Sequence, residues 1–495
     1  MRSEGEPVTT RVRWGLAAFA VPFALSACWA LTSPIYAGPD EPVHVTKAAA
    51  VVRGQLVGKP LSATTTLVRV PLTFAQPGYS LLGATCFGSH PERPASCQRL
   101  PQGSTVVSAT PYVGRYSPLY YLLVGWPSLT SSSTWTLYAM RLASAAVCAG
   151  LLAAGLWLLL ATRRRWLVLG FLVGMTPAVA FFGGTVNPSS LEIAAGLCLW
   201  AAAIAWLADR RLGRSCAWTA AIAGSVLVQL RWGSILLVAL IAMTVIVLGA
   251  RVQLRRWMVP VAISAVFGAT WQLAEHGWVP LGPPAPPSYS VAHLIRLSIG
   301  RLDGYFHDLV GVFGSPTPSL AFAIWLFTTG FLLFAAWSTG EAHLRSALAI
   351  VVLALLIVPV AMNVIEAPTS GYAAGRFGFY QSRYLMPYSL GLPLVAAYGL
   401  VRAGRQVPPA ILLALVGVGQ LATFVQALRR YTVGVHGPVL WFGGSWSPPY
   451  LGAIAPVLIF AVALAALLAG TWWIAGGEAT GISLAQRPRR LLSRG

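Results

Sequence analysis

Apolar runs of about twenty residues, the length a helix needs to cross ~30 Å of hydrocarbon, recur along the whole chain, and charge appears almost only between them. A chain built this way has few options beyond a bundle of membrane-spanning helices. Composition agrees: of 495 residues, 56% are hydrophobic and only 9% charged, where a soluble domain carries roughly a quarter charged. Mean hydropathy is +0.69. The 19 Trp, 16 Tyr and 19 Phe exclude a disordered chain.

The runs fall at 14–32, 137–161, 166–185, 189–208, 216–231, 233–250, 257–274, 319–337, 347–362, 384–401, 409–428 and 451–475. They predict an all-α polytopic protein of about twelve transmembrane helices, a single membrane domain over 1–475 with a tail at 476–495. The net charge of +21 does not point to nucleic acid, because it sits in short clusters between runs: Arg163–Arg165, Arg210-Arg211 with Arg214, Arg251 with Arg255-Arg256, and Arg487 to Arg494. Placing residue 1 in the cytoplasm sends 19 of the 34 basic residues to that side, as the positive-inside rule requires. Both termini are then expected in the cytoplasm.

The segments assigned to the opposite face are long. Residues 33–116 form a first extracytoplasmic loop in which Leu67-Val68-Arg69-Val70 suggests a short strand or two. Residues 275–318 open on a proline run and become helical; with Val291, Leu294, Ile295, Leu302, Phe306 and Leu309 at helical spacing, 291–313 reads as an interfacial helix. The 117–130 segment reads as interfacial or re-entrant. Loops 363–383 and 429–450 are rich in glycine and aromatics. Cys86 and Cys97 share the first loop and are expected to pair in an oxidising space. The other four cysteines lie in or at spans as small apolar residues. Leu25-Ser26-Ala27-Cys28 has the form of a lipoprotein cleavage box, but the apolar run continues through Trp29-Ala30-Leu31, and it is read as part of the first span.

The chemistry points to the residues just after that span. In Ser33-Pro34-Ile35-Tyr36-Ala37-Gly38-Pro39-Asp40-Glu41-Pro42-Val43-His44, two adjacent carboxylates stand between prolines that restrict the backbone, in a chain with only 13 acids. Such a corner suits general-base work on a hydroxyl or metal binding; equally, it could be a turn that ends the first helix. Arg141, Glu192 and Arg231 lie at or within spans, where an unpaired charge costs a few kcal/mol. Arg376, Arg383 and Tyr384 lie in an aromatic-rich loop before a span. Guanidinium forks suit phosphate oxygens.

The stretch Pro39-Asp40-Glu41-Pro42-Val43-His44, with Lys47 and Arg53-Gly54 behind it, resembles the opening signature of a family of bacterial membrane proteins catalogued as domain of unknown function 2142. Further matches are Ser117-Pro118-Leu119-Tyr120-Tyr121, Arg141-Leu142 with Ser144, Thr176-Pro177, Asn187-Pro188-Ser189, Arg231-Trp232 and Arg383-Tyr384-Leu385-Met386-Pro387. Two positions depart: Ser189 stands where relatives commonly carry Asp, and Ser382 where they carry Gly. The family is similar to the GT-C superfamily of membrane glycosyltransferases. That resemblance implies a polyprenyl-phosphate-linked sugar donor, a cell-envelope glycan or lipid acceptor, and inversion at the anomeric carbon. Asp40 would be the base, Glu41 its alternate or partner, and His44 an orienting group. Arg231, Arg383 and Arg376 would hold the leaving phosphate, with Tyr384 beside them, while Trp441 and Trp446 would stack an acceptor sugar. No cofactor is expected, and a divalent metal is not indicated. A transporter or flippase of lipid-linked saccharides and a non-catalytic envelope assembly protein are the competing readings.

Overall fold

The computed structural model describes residues 8–62, 65–75, 81–88, 90–249, 254–275, 290–366, 381–404, 409–438, 444–449 and 451–476. Helix α1 (Val8–Thr32) ends at the proline-rich corner, and α2 (Glu41–Val51) starts from it. A small antiparallel sheet follows: β1 (Lys59–Pro60), β2 (Thr66–Pro71) and β3 (Val106–Ala109), with β2 in the middle. The four-residue α3 (Leu81–Ala84) lies between β2 and β3, and α4 (Leu119–Gly125) follows the sheet. Then come α5 (Thr134–Ala161), α6 (Arg165–Gly174), α7 (Pro177–Gly183), α8 (Pro188–Ala208), α9 (Gly213–Leu230), α10 (Ser234–Val247) and α11 (Leu254–Ala274). The chain continues through α12 (Val291–Ile299), α13 (Leu302–Val310), α14 (Ser319–Trp337) and α15 (Ala342–Glu366). It ends with α16 (Met386–Ser389), α17 (Leu392–Arg402), α18 (Pro409–Val433) and α19 (Ile454–Gly476).

Six of these helices, α1, α5, α8, α14, α15 and α18, are long and apolar enough to cross a membrane. A seventh crossing is available if α6 and α7 count as one span, although they meet at a 65° bend. Pro177 begins α7 and cannot continue the hydrogen-bond ladder of α6, so the run expected at 166–185 breaks there. Six or seven is therefore the number that length and hydropathy support among the described residues, with α10 and parts of α11 and α19 as shorter apolar helices, and the expected count of about twelve is not confirmed. The run at 384–401 also breaks, into a 3-10 turn at Ser382–Tyr384, α16 and α17, with Pro387 and Pro393 each at the start of a helical piece. Likewise 291–313 is two helices, parted at Gly300-Arg301, rather than one.

Helix α8 is buried on every side from Pro188 to Trp206, which makes it the axis of the bundle. By contrast, Phe327 and Phe334 on α14 and Leu353 and Ile357 on α15 are exposed; in a membrane protein these faces meet lipid. A second apolar cluster begins at the start of α8 with Leu191, where Ile35, Val45, Ala48, Val68, Val70, Phe74 and Tyr121 pack together. It fixes α2, the sheet and α4 to the start of α5, giving the first loop a core of its own.

Helix α8 also fixes the segment that carries Arg383. A side chain on Gly196 would stand 2.5 Å from the backbone of Pro387, and one on Gly391 would enter the Trp200 ring at 2.1 Å. The Trp200 indole donates to the Tyr388 carbonyl at 3.1 Å. The pairings 196 with 387 and 200 with 391 run in parallel, so the Ser382–Tyr384 turn comes to rest near Glu192 at the start of α8. Gly196→Val should force the two backbones apart and lower the unfolding temperature in detergent markedly, the cost of overpacking being typically 1–3 kcal/mol or more; an unchanged melting curve would show that this close approach is not rigid.

Candidate functional site

The corner after α1 is held by Arg141. Its Nε donates to Glu41 Oε1 at 2.7 Å and its Nη2 to Glu41 Oε2 at 2.6 Å. The remaining donors go to the carbonyls of Ala30 (2.9 Å), Ser33 (2.8 Å) and Pro34 (2.7 Å), closing the end of α1, where helical carbonyls lack partners. Glu41 also accepts from the backbone N–H groups of Gly38 at 3.2 Å and Val186 at 3.1 Å. Asn187 donates from Nδ2 to the Pro39 carbonyl at 2.7 Å while its Oδ1 caps α8 at Ser189.

Asp40 is set differently. It occupies a left-handed conformation (φ 56°, ψ 10°) as the residue before α2, a region Asp tolerates better than most residues. Its side chain is 36% exposed, against 1% for Glu41. The Tyr112 hydroxyl donates to Oδ1 at 2.6 Å and Arg383 Nη2 to Oδ2 at 2.6 Å. Burial opposes ionisation of this carboxyl, but the charge of Arg383 and the bonds from Tyr112 and Arg383 outweigh it, and the pKa lies below its ordinary value. Two neighbouring carboxylates thus have opposite characters: one saturated and sealed, the other ionised and reachable.

Around Asp40 stand groups that are far apart in sequence. His44 Nδ1 is hydrogen-bonded to the Tyr121 hydroxyl at 2.9 Å. Burial pushes the imidazole down to about 3, against the pull of Asp40 and with help from Arg231 and Arg383, so it is neutral. Arg383 also donates to the Tyr384 hydroxyl at 3.2 Å. The Arg383 and Arg231 guanidiniums lie 5.0 Å and 4.5 Å from the Tyr384 ring centroid, in cation–π range. Arg231 pairs with Glu192 at 3.5 Å, and Glu192 accepts from the Ser234 hydroxyl at 2.8 Å.

Two cavities meet here. The first, of about 330 Å³, is lined by Arg301, Asp303 and Asp308 beside α12 and in α13, by Pro359 and Asn363 of α15, and by Gln381, Ser382 and Arg383. Burial pushes the Asp308 carboxyl up, against the Ser382 hydrogen bond and the charges of His307 and Arg383. The second, of about 260 Å³, is lined by Asp40, Tyr36, Phe87, Tyr112, Arg430 and Tyr431 among others. Phe313 borders both. Arg383 lines the first and Asp40 the second, so their ion pair stands in the wall between.

The structure therefore gathers Asp40, His44, Arg231, Arg383 and Tyr384, and places Glu41 beneath them in a saturated ion pair. Arg376 and Trp441 lie outside the described residues. Trp446 packs edge-on against Tyr431 at 6.3 Å, and Tyr431 lines the second cavity. Cys86 and Cys97 form a disulfide. Among the described residues there is no group of three or more His, Cys, Asp or Glu side chains placed to hold a metal. Sequence reasoning missed Tyr112, Arg301 and Arg430, which carry no motif, while Asp303 and Asp308 fall within the 291–313 stretch read as an interfacial helix.

Two predictions separate the roles. Glu41→Gln leaves the Arg141 charge buried without its counter-ion and should cost about 3–5 kcal/mol, read as a lowered melting temperature, whereas the partly exposed Asp40→Asn should cost much less. The acid limb of stability should depend on His44. Unfolded, it takes a proton near pH 6.5, but folded only near 3, so stability is lost as pH falls below about 6.5, by up to ~1.4 kcal/mol per pH unit. His44→Gln should flatten melting temperature against pH between 6.5 and 4; identical slopes would contradict this.

No curated protein and no solved structure matches the chain. A sequence-family model does, over residues 23–392, a stretch that runs from within α1, through the carboxylate corner, past the Arg383 turn and to the start of α17. The chain belongs to the family described as predicted membrane protein (DUF2142).

Proposed function

We propose that this protein is a membrane glycosyltransferase that moves a sugar from a polyprenyl-phosphate donor to an envelope glycan or lipid acceptor, with inversion and with Asp40 as general base. The observation that carries this reading is the Asp40–Arg383 pair in the wall between two cavities, one lined by Arg301 and Arg383 with Asp303 and Asp308, the other by Asp40 with Arg430. A transfer needs two substrates brought together at one base and one cation, and this arrangement supplies both.

In the proposed step, Asp40 takes the proton of the acceptor hydroxyl, whose oxygen attacks the anomeric carbon. The bond from that carbon to the phosphate oxygen breaks, and the polyprenyl phosphate leaves with the electron pair. Arg383 and Arg301 line the first cavity and are the cations proposed to stabilise that charge. Arg231 and Tyr384 hold Arg383 in place, and Arg376 is proposed to assist. In the unliganded protein Arg383 keeps Asp40 a weak base. A phosphate in the first cavity would compete for the guanidinium, and as Arg383 turns to it the Asp40 carboxylate gains basicity where a hydroxyl must be deprotonated.

A lipid-borne donor suits the first cavity's setting. Helix α12 exposes Val291, Ile295 and Ile299 along one face, and the cavity wall includes Pro359 and Asn363 of the apolar span α15. In this reading the bent pair, the shorter apolar helices and the runs at 216–231 and 384–401 complete about twelve crossings, both termini are cytoplasmic, and the site faces outward from the bacterial inner membrane. Trp446 lies on the acceptor side, beside Tyr431, and Trp441 is proposed to join it in stacking the acceptor sugar.

The test is transfer from a panel of polyprenyl-phosphate sugars by the purified protein in nanodiscs. Asp40→Asn should reduce turnover by at least ~10²-fold with donor binding kept, and Arg383→Gln should weaken donor binding. Full activity in Asp40→Asn would remove the proposed base. A wild-type protein that binds and translocates lipid-linked saccharide without transferring it would replace the transferase reading with a transporter.

A further inference from the structure

The second cavity has a chemistry of its own, distinct from that of the first. Its walls combine aromatic side chains (Tyr36, Phe87, Tyr112, Phe313, Tyr431) with Asp40 and Arg430. Arg430 is wholly buried. Its Nε donates to the Gly314 carbonyl at 2.9 Å and its Nη2 to the Phe87 carbonyl, while Nη1 has no hydrogen-bond partner among the described residues. The hydroxyls of Tyr36 and Tyr431 are likewise buried and unpartnered. The guanidinium lies 4.8 Å from the Tyr431 ring centroid and 5.5 Å from that of Phe87. Phe87 directly follows Cys86 of the disulfide with Cys97, so the segment that supplies this wall is held at two adjacent residues, by the covalent bond at Cys86 and by Arg430 at the Phe87 carbonyl.

We infer that this cavity is a monosaccharide-sized acceptor site in which aromatic faces and Arg430 hold one sugar ring with a hydroxyl presented to Asp40. The inference rests on the transferase reading and adds the chemical class of the acceptor. Aromatic rings offer flat apolar faces to the C–H surface of a sugar, and carboxylate and guanidinium supply an acceptor and donors for its hydroxyls. At about 260 Å³ the cavity is of a size for one sugar residue. A longer acceptor would therefore present its terminal residue, and selectivity would lie in Tyr36, Phe87, Tyr112 and Arg430.

The experiment uses the full chain in nanodiscs with a panel of methyl hexopyranosides and pentofuranosides, bound sugar being read by saturation-transfer NMR. Two variants fill the cavity from different walls: Val43→Phe from α2 and Thr85→Phe from the loop side, both positions lining it. At least one glycoside should bind wild type. Each folded variant should weaken that binding tenfold or more, raise the acceptor KM to the same degree and leave donor KM within about twofold. Absence of binding by every glycoside, or binding untouched in both variants, would overturn the assignment. If binding is lost in the variants while no donor supports transfer by wild type, the saccharide site stands and the transferase reading fails.

Discussion

Arg141 spends all five of its N–H donors on one corner of the chain: two on Glu41 and three on the carbonyls of Ala30, Ser33 and Pro34. The pair is 1% exposed on both sides, and a guanidinium in such a place is tolerable only when its charge and every donor are matched. The backbone of the corner is thereby fixed from inside. The end of α1, the turn through Pro39 and the start of α2 cannot shift separately, because the same carboxylate also binds backbone N–H groups on both sides of it, at Gly38 and Val186. Asp40 is one residue from that anchor and inherits its rigidity.

This explains how two adjacent acids come to differ so completely. The saturated Glu41 has no spare capacity for a substrate, whereas Asp40 is one-third exposed and faces a cavity. Its partner Arg383 is brought from the other end of the chain by the close seating of the Pro387–Gly391 segment on α8. The same seating places Tyr384 against Arg231 and hence near Glu192. A charged cluster near a membrane is expensive, and here each guanidinium is paid for by a carboxylate or an aromatic face.

Much of this was readable from residue types alone. Asp40, Glu41 and His44 stand out because acids are rare in the chain and prolines flank them, and Arg231, Arg383 and Glu192 because charge is costly beside apolar runs. What composition could not show is which carboxylate meets which arginine. That depends on α8 lying at the centre with Gly196 and Gly391 allowing contact, a tertiary fact without a local signal. Span count was poorly legible for a related reason. Hydropathy does not register that Pro177, Pro387 and Pro393 divide runs into pieces, nor that 291–313 folds as two helices whose acids line a cavity. Tyr112 and Arg430, each essential to a cavity wall, sit in no pattern that a periodicity or a motif would isolate.

The central claim is that Asp40 and Arg383 form one reactive centre whose ion pair yields to a phosphate. It is tested most directly by a structure of the nanodisc-embedded protein with undecaprenyl phosphate bound. The account predicts the phosphate in the first cavity, hydrogen-bonded to Arg383, with the 2.6 Å contact between Arg383 and Asp40 lengthened beyond hydrogen-bond reach. A phosphate bound elsewhere, with that contact unchanged, would contradict it.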